Sequence, residues 1–493
     1  MVSSLADAPV APPNSLRDCI EQANLSPGQQ SLTFSPGVFN PGTIVLTSNL
    51  PPLTDPAGVV LDGANAANVI IDGSGFGGSV GLVLASNGNE IRNVTFQGFR
   101  GTGFSDAVIT VSAGQVAVID SVVMLDNAGM GIELGGDNSS TLIANTRFER
   151  TGRFVIRVRD AVSSNCASHT VIRNNVFLAF PNANDDAVFA TGALCLEVAD
   201  NQFTGFNGPG GHAIRFASGS SGCQVMRNVV LDSRSAIGLF TGTTGCRLGF
   251  NVVKDALGAA FLVGDSGSTG NTLEGNVVVR TRLSPTGGHG IYVYAGANDT
   301  RVFHNTVVGS EGDGLRVDVG PSGVRVHNNL LGLSTGAGMA LFEPSVVRSH
   351  NGFFGNAGGD CAGGCSLGTG SVVGDPEFVN PTSPADDFRL ASCSSPAVNA
   401  GLDLGADQTD LVGPAGGQLF EGTAPDLGAL ESACGQPAPP EPPSPPGPVP
   451  PWLLTVGCAC QTTPASTGGL STLMIWLSAL ALSRRRRGAS LGR

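Results

Sequence analysis

Lysine, tyrosine and tryptophan are almost missing from this chain of 493 residues. Its one lysine is Lys254, its two tyrosines are Tyr292 and Tyr294, and both tryptophans lie after residue 434. Charged residues amount to 13% of the sequence. Residues 1–434 carry 21 Lys and Arg against 38 Asp and Glu, a net charge near −17. Such a surface repels the phosphates of nucleic acids, so the composition argues against a nucleic-acid partner.

Long amphipathic helices are also missing, because no long stretch repeats its apolar residues with a period of 3.6. The best helix candidate is the short SLRDCIEQAN, in which Ser15 can cap the helix and Asp18 follows three residues later. Glycine is abundant, with 71 residues. This profile, rich in turn and β-forming residues, predicts an all-β protein with a short N-terminal capping helix.

One sequence motif, represented by TRVFHNTVVG around Asn305, recurs along the chain. An apolar residue comes three positions before its Asn and another two positions after, and a third short alternating run follows about ten residues later. Successive copies of the motif are 22 to 30 residues apart. The aligned positions are Asn93, Asp120, Asn145, Asn175, Asn201, Asn228, Asn251, Asn276, Asn305, Asn329 and Asn351.

Three short strands per period predict a right-handed parallel β-helix (a β-solenoid) of roughly 10–12 coils, because stacked coils share one core. Asn tolerates the left-handed backbone of a tight bend, and its amide can bond to the Asn of the next coil. We therefore interpret the Asn column as structural rather than catalytic.

The cysteine spacing agrees with this register. Cys223 and Cys246 each lie five residues before a column Asn, so they should stack on adjacent coils and form a disulfide. Proximity in sequence favours three further pairs, which leave Cys19 over: Cys361–Cys365, Cys393–Cys434 and Cys166–Cys195. The sequence has no His-bearing zinc spacing, so metal clustering is the weaker reading. A metal bound by His304, His327 and His350 is a further alternative.

The pattern resembles the bacterial extracellular right-handed β-helix superfamily, which includes pectate lyases, polygalacturonases, alginate epimerases and non-enzymatic surface proteins. SLRDCIEQAN, LTFSPG and VIIDG are similar to the SLR-type N-terminal segment of large surface proteins with this fold. GDPEF, SPAVNAG and PDLGALE look like the matching C-terminal segment. The expected organisation is a disordered N terminus (1–14), an N-terminal cap (15–90), the repeats (91–360), a C-terminal cap (361–434), a linker (435–455) and a tail (456–493).

Residues 435–493 differ in composition from the body. QPAPPEPPSPPGPVPP predicts a disordered, extended linker. The VGCACQTT, LSTLMIWLSALAL and RRRR that follow are similar to the myxobacterial C-terminal sorting signal (MYXO-CTERM type). That resemblance implies processing and anchoring at Cys458 or Cys460, whereas an ordinary tail anchor is the alternative.

Nine cysteines in the body and this tail favour export to the cell surface or outer envelope. MVSSLADAPVAPP does not read as a signal peptide, so we expect a true start upstream or a trimmed chain; a cytoplasmic protein is the alternative.

Candidate chemistry lies on the third strand of each coil, where alternation places one column of side chains outward. The column is Glu133, Arg157, Arg215, Gly238, Leu262, Tyr292, Arg316 and Ala340, with Arg159, Tyr294 and Asp318 two residues beyond. Long loops at 179–187, 204–212 and 280–290 end near His212 and His289. Arginine binds carboxylates bidentately, and His and Tyr can transfer protons in β-elimination. The candidate site is therefore Arg215, Tyr292, Arg316 and His289, facing an acidic polysaccharide.

Several observations favour display over catalysis. The column has no repeated Asp that would cage calcium, so calcium is compatible with the chain but not indicated, and no cofactor is expected. Asp185–Asp186 lies some four coils, about 19 Å, from His289, too far for shared acid–base work. We predict a monomeric, surface-anchored protein with a structural, adhesive or glycan-binding role, which contacts a membrane or envelope only through its tail. The alternative is a polysaccharide lyase or epimerase.

Overall fold

The computed structural model describes residues 1–434 except 78–79, 104–105, 138–139, 160–165, 180–185, 285–286, 406–422 and 433. The predicted linker (435–455) and tail (456–493), with Cys458 and Cys460, lie outside the described residues. Within the described part, no helix is long and apolar enough to cross a membrane.

Short parallel strands form three long sheets, and each coil of the chain contributes one strand to each sheet. The 13-stranded sheet contains Gln30–Thr33, Val59–Asp62, Asn89–Arg92, Ala117–Asp120, Leu142–Ala144, Val171–Arg173, Glu197–Ala199, Gln224–Met226, Arg247–Gly249, Thr272–Glu274, Arg301–Phe303, Arg325–His327 and Val347–Ser349. The 14-stranded sheet contains Gly42–Val45, Val69–Asp72, Thr95–Gln97, Val123–Leu125, Arg147–Glu149, Val176–Leu178, Gln202–Thr204, Val229–Leu231, Val252–Ala256, Val277–Thr281, Thr306–Val308, Leu330–Gly332, Gly352–Phe354 and Val372–Val373. The 12-stranded sheet contains Leu82–Leu84, Ala107–Val111, Met130–Gly135, Ile156–Arg159, Val188–Thr191, His212–Ala217, Ser235–Leu239, Phe261–Val263, Ile291–Val293, Leu315–Val317, Met339–Leu341 and Cys361–Ala362.

Three further kinds of element complete the fold. Among the residues that the structure describes, one α-helix spans Leu16–Leu25, two 3₁₀ turns span Gly73–Gly75 and Cys166–Ser168, and Phe378–Asn380 pairs antiparallel with Asp387–Leu390. The predicted all-β solenoid of about 12 coils with a short N-terminal helix is thus confirmed.

The core runs inside the three sheets, because strand alternation directs every second side chain inward. Like residues stack on like residues along the axis. The rings of Phe148 and Phe177 are 4.7 Å apart, and those of Phe177 and Phe203 are 4.6 Å apart. Each of these side chains is at most 1% exposed. The stacked coils therefore share one continuous apolar core, as the repeat requires.

The asparagine column forms an unbroken ladder from Asn175 to Asn351. At each step the backbone N–H and the side-chain Nδ2 of one Asn both donate to Oδ1 of the next, as at Asn251 and Asn276 (3.0 and 2.9 Å). Nδ2 also donates to a backbone carbonyl of the preceding coil, which for Asn251 is that of Val225 (2.9 Å). The column members are Asn175, Asn201, Asn228, Asn251, Asn276, Asn305, Asn329 and Asn351.

Two details of the predicted column were wrong. The left-handed residue is the one before each column Asn, for example Asn174 (φ +57°) or Asn328 (φ +59°). In addition, Asn93 (φ +53°) and Asn145 (φ +50°) occupy that left-handed position rather than the column. After Asn145, Thr146 takes the place in the column and donates its N–H to Asn175 Oδ1 (2.9 Å). The column side chain must point inward to reach its neighbours, which leaves the bend to the residue before it.

Four disulfides join the pairs inferred from sequence, and Cys19 is free and buried. They are Cys166–Cys195, Cys223–Cys246, Cys361–Cys365 and Cys393–Cys434. Two of them link adjacent coils and two hold the C-terminal cap. Four disulfides are typical of an oxidising, extracellular environment.

The N-terminal end of the core is covered by the helix, whose buried face is Leu16, Cys19, Ile20 and Ala23. Ser15 caps it by accepting a hydrogen bond from the Asp18 N–H (3.2 Å). Residues 1–14 differ from the disorder that we expected. Val2 is fully buried and pairs with Phe34, and Asp7 forms a buried ion pair with Arg17 (2.9 Å).

The C-terminal cap folds back along the side of the solenoid. Asp386, in its two-stranded hairpin, accepts hydrogen bonds from Arg280 (2.5 and 3.0 Å) and from Lys254 (3.2 Å). Further along, the Asn328 amide exchanges two hydrogen bonds of 2.8 Å with the backbone of Leu402. The single lysine of the chain thus helps to fix the cap.

Candidate functional site

The outer surface of the 12-stranded sheet carries the column predicted from alternation. Strand pairing runs Glu133–Arg157–Phe189–Arg215–Gly238–Leu262–Tyr292–Arg316–Ala340. The order matches the sequence reading, with Phe189 as an added member between two arginines.

Aromatic rings line this surface, which we call the aromatic face. Phe154 stacks on Phe189 (4.6 Å between ring centres), and Tyr292 stacks on Tyr294 (4.9 Å). The rings of the face are Phe154, Phe189, Phe240, Tyr292, Tyr294 and Phe342, all of them partly or well exposed.

Two glycines allow rings of the aromatic face to lie flat on the sheet. A Cβ at Gly238 would overlap the ring of Phe240, and a Cβ at Gly264 would overlap the ring of Tyr294. The sequence analysis included the two tyrosines of this face but missed the rings of Phe154, Phe189, Phe240 and Phe342. The sequence signal for a ring lying on the sheet was Gly238, which precedes Phe240 by two residues.

Arginines are interleaved with these rings. The Arg215 guanidinium lies 5.1 Å from the centre of Phe189 and 5.3 Å from that of Phe240. Arg316 lies 4.5 Å from Phe342 and 5.9 Å from Tyr292. Cation–π contacts of this kind hold the guanidinium flat and orient its edge for a ligand.

One group of polar residues surrounds Arg215, and we call it the Arg215 cluster: Asp186, Phe189, His212, Arg215 and Phe240. The His212 Nδ1 lies 2.8 Å from Asp186 Oδ1, and the side chains of the two residues are 9% and 2% exposed. Asp186 Oδ2 lies 3.7 Å from the Arg215 guanidinium, beyond hydrogen-bond length. Among the described residues Arg215 makes no hydrogen bond, and its buried Nε has no partner. A guanidinium whose Nε has no hydrogen-bond partner can donate to a carboxylate.

A second group, the Arg316 cluster, comprises His289, Tyr292, Asp313, Arg316 and Asp318. Arg316 donates to Asp318 (2.7 Å) and lies 3.4 Å from Asp313, and the Tyr292 hydroxyl also donates to Asp318. Burial, reinforced by Asp318, raises the pKa of Tyr292 to about 12. Burial also lowers the pKa of His289, which the Asp313 carboxylate opposes. This cluster is therefore internally satisfied, with a neutral imidazole and a protonated phenol.

The four predicted site residues fall into these two clusters. His289, Tyr292 and Arg316 lie together, with 5.1 Å between the rings of His289 and Tyr292. Arg215 is three strand spacings from Tyr292, about 14 Å, and lies beside His212. Asp186 faces His212 on the adjacent coil rather than His289, which the sequence reading did not consider. Asp185 and most of the loop predicted at 179–187 lie outside the described residues.

The alternative metal site is not favoured by the geometry. His304 Nε2 contacts the Asn328 amide (2.9 Å), and His327 Nδ1 contacts the Ser349 hydroxyl (2.8 Å). Across the part of the chain that the structure describes, no three His, Cys, Asp or Glu side chains converge as metal ligands would.

Comparison with known proteins supports the fold. The family profile described as "Right handed beta helix region" matches residues 161–331 and 213–371. No curated protein matches the sequence significantly. The fold is thus a right-handed parallel β-helix, as predicted.

Among solved structures, the chain is similar to the PL6 family alginate lyase AlyGC, with 13% identity and a TM-score of 0.57 over 83% of this chain. The match spans 58% of the lyase, so this chain corresponds to little more than half of it. A PL6 alginate lyase in complex with a trisaccharide shares 11% identity (TM-score 0.52; 72% of this chain, 86% of that chain). The periplasmic alginate epimerase AlgG, as a double mutant, shares 13% identity (TM-score 0.50; 69% and 82%). Identities this low establish a common fold only.

Proposed function

We propose that this protein is exported, is held at the cell surface by its C-terminal tail, and binds an acidic polysaccharide along the aromatic face. The observation that carries the proposal is the guanidinium of Arg215, which makes no hydrogen bond among the described residues and lies between two aromatic rings on the outer surface of the 12-stranded sheet. A uronate offers both matching features, a carboxylate for the guanidinium and an apolar sugar face for the rings.

The shape of the face suits an extended polymer. The rings and arginines follow the solenoid axis, and Arg215 and Arg316 are four strand spacings apart, about 19 Å. The Arg215 cluster supplies a cation whose neighbouring carboxylate, Asp186, is 3.7 Å away, beyond hydrogen-bond length, while the Arg316 cluster adds aromatic surface and a cation that is already hydrogen-bonded to Asp318. The body is strongly acidic, so local arginines must offset its repulsion of an anionic polymer, and we expect binding that depends on these few side chains.

Surface display is supported by independent features. Four disulfides favour an oxidising compartment, and the sequence of the tail resembles a sorting signal. The similar lyases and epimerases named above act on or bind alginate according to their descriptions, which makes acidic glycans the first class to test. A lyase or epimerase is the second candidate function, favoured by the pairing of His212 with Asp186.

The test is binding of the oxidised full chain to pectate, alginate, hyaluronan and chondroitin, measured by calorimetry at two salt concentrations. Arg215→Ala should weaken binding about 10-fold to 100-fold, since a hydrogen bond to a charged group contributes roughly 1.5–3 kcal/mol. Arg173→Ala is the matched control, because Arg173 is an exposed arginine on the 13-stranded sheet. The proposal fails if none of the four polymers binds, or if both variants weaken binding equally.

A further inference from the structure

The hydrogen bonds of His212 fix which of its ring nitrogens carries the proton. Asp186 is buried and its carboxylate can only accept, so the Nδ1 that lies 2.8 Å from Asp186 Oδ1 must be the donor. The carbonyl of Gly210, 3.1 Å from Nδ1, requires the same assignment. The backbone N–H of His212 donates to the same carboxylate oxygen (3.0 Å), which fixes the orientation of Asp186.

The other ring nitrogen of His212 is consequently a free base. With Nδ1 protonated, Nε2 carries a lone pair, and it has no hydrogen-bond partner among the described residues. A buried carboxylate behind an imidazole holds the ring in one tautomer and stabilises the imidazolium that forms when Nε2 takes up a proton. The Arg215 guanidinium shares the Asp186 carboxylate at 3.7 Å, so a carboxylate ligand on Arg215 would lie beside His212.

His289 has the opposite arrangement. Its Nδ1 accepts a hydrogen bond from the backbone N–H of Asp313 (3.0 Å), so in the neutral ring the proton lies on Nε2. The ring is also enclosed by glycine backbone, because a Cβ at Gly287 or Gly312 would collide with its nitrogens. The lone pair of His289 is thus already used, and this imidazole is not available as a base.

We propose that His212 is a proton acceptor that acts on the C5–H of a uronate held by Arg215, that Asp186 positions it, and that the Arg316 cluster only anchors the polymer. This inference rests on the proposed binding of acidic glycans. In the step, the C5–H bond breaks, the proton moves to His212 Nε2, and the electron pair stays on C5, delocalised into the carboxylate paired with Arg215. Return of the proton from His212 to C5 restores that centre, whereas a proton delivered by water to the opposite face inverts it and leaves the first proton on His212 to be released to solvent. Alternatively, loss of the C4 oxygen forms a C4–C5 double bond, and the leaving oxygen takes up a proton from water.

The experiment measures proton abstraction separately from binding. The oxidised full chain is incubated in D₂O with hexasaccharides from pectate, alginate, hyaluronan and chondroitin, and the sugars are analysed by mass spectrometry and NMR. The unmodified protein should introduce deuterium at C5 or release an unsaturated product from at least one of them. His212→Gln should lower this rate about 100-fold or more while affinity is kept, as expected for loss of a general base.

One further variant and a control separate the roles. Asp186→Asn should lower the exchange rate at saturating hexasaccharide at least about 10-fold without loss of affinity, since the neutral amide no longer stabilises the imidazolium that forms on His212. His169→Gln is the matched control, because His169 lies 2.8 Å from the Glu197 carboxylate and precedes a strand of the 13-stranded sheet; it should change neither rate nor affinity.

The outcomes distinguish the inference from the proposed function. Binding of hexasaccharide with neither deuterium nor unsaturated product overturns the inference and leaves the binding proposal intact. Exchange that survives in His212→Gln also overturns it. Absence of binding to all four glycans overturns both. Thermal unfolding of each variant identifies a folding defect, and the Asp186→Asn result then decides the question.

Discussion

Replacing Asn251 by alanine removes four hydrogen bonds from the middle of the asparagine column. Asn251 Oδ1 accepts from the backbone N–H and the Nδ2 of Asn228 (both 3.0 Å). Its Nδ2 donates to the Val225 carbonyl and to Asn276 Oδ1 (both 2.9 Å). Asn228, Asn251 and Asn276 are all fully buried, so water cannot replace the lost partners.

The expected cost follows from which groups keep a partner. Asn228 Nδ2 still donates to the Val198 carbonyl (2.8 Å), and Asn276 Oδ1 still accepts from the Asn251 N–H (3.0 Å). The backbone N–H of Asn228 is left unpaired, which costs roughly 1–3 kcal/mol, and each of the two hydrogen bonds donated by Asn251 Nδ2 adds about 1 kcal/mol. We therefore expect a loss of about 3–5 kcal/mol in the free energy of unfolding.

Urea unfolding followed by circular dichroism measures this difference. Asn65→Ala is the control, because Asn65 lies on an exposed turn, and such a substitution should change stability by less than about 0.5 kcal/mol. Asn251→Asp should cost at least as much as the alanine variant, because it turns the donor toward the Val225 carbonyl into a second acceptor. If Asn251→Ala costs no more than Asn65→Ala, the ladder does not stabilise the fold and our account of the repeat is wrong.

Three further predictions concern the C-terminal cap and the cysteines. Burial lowers the pKa of His304 to about 4. Because the unfolded chain then binds the proton more tightly, the free energy of unfolding should fall by up to roughly 3 kcal/mol as the pH drops from about 6.5 to 4. His304→Asn should flatten this part of the pH–stability curve. The hydrogen bond from Arg280 lowers the pKa of Asp386. The stability contributed by this ion pair should therefore be present above about pH 3.8 and lost below it. Asp386→Asn should abolish this acid-induced loss of stability, and it should increase proteolytic cleavage within the hairpin at neutral pH. Labelling of the denatured, unreduced protein should modify Cys19 alone among the nine cysteines of residues 1–434; peptide mapping that finds label at Cys223 or Cys246 would contradict the assigned pairs.

Much of the fold could be predicted from sequence because the repeat is short and every coil shows the same spacing of apolar residues around an Asn. An inward Asn needs apolar neighbours at fixed offsets, so the motif around Asn305 defines the strands on both sides of this residue. The N-terminal coils were harder to read, because Thr146 replaces Asn in the column and Asn145 beside it imitates the pattern. Disorder of residues 1–14 was expected from composition, but Val2 pairs with Phe34 some thirty residues away. The composition of a short segment does not predict such a long-range contact.

The candidate site was only partly predictable, since alternation gives the direction of a side chain but not its partners. The column from Glu133 to Ala340 followed from alternation alone. The pairing of Asp186 with His212 depends on the register across a long loop, and loop length does not fix register. The flat rings of Phe240 and Tyr294 depend on the absence of side chains at Gly238 and Gly264 on the sheet. Both features require contacts between coils, which sequence spacing leaves open.

The two tyrosines offer the most direct test of the central claim that this face binds an acidic glycan. Tyr292 and Tyr294 are the only tyrosines in the chain, and both lie on the aromatic face, so selective isotope labelling of tyrosine gives ring signals from this surface alone. Titration of the labelled protein with alginate or pectate hexasaccharide should shift both signals in parallel with calorimetric binding, and Arg215→Ala should move the titration to higher ligand concentration. Measurable binding that leaves both tyrosine signals unchanged would place the ligand elsewhere and contradict the account.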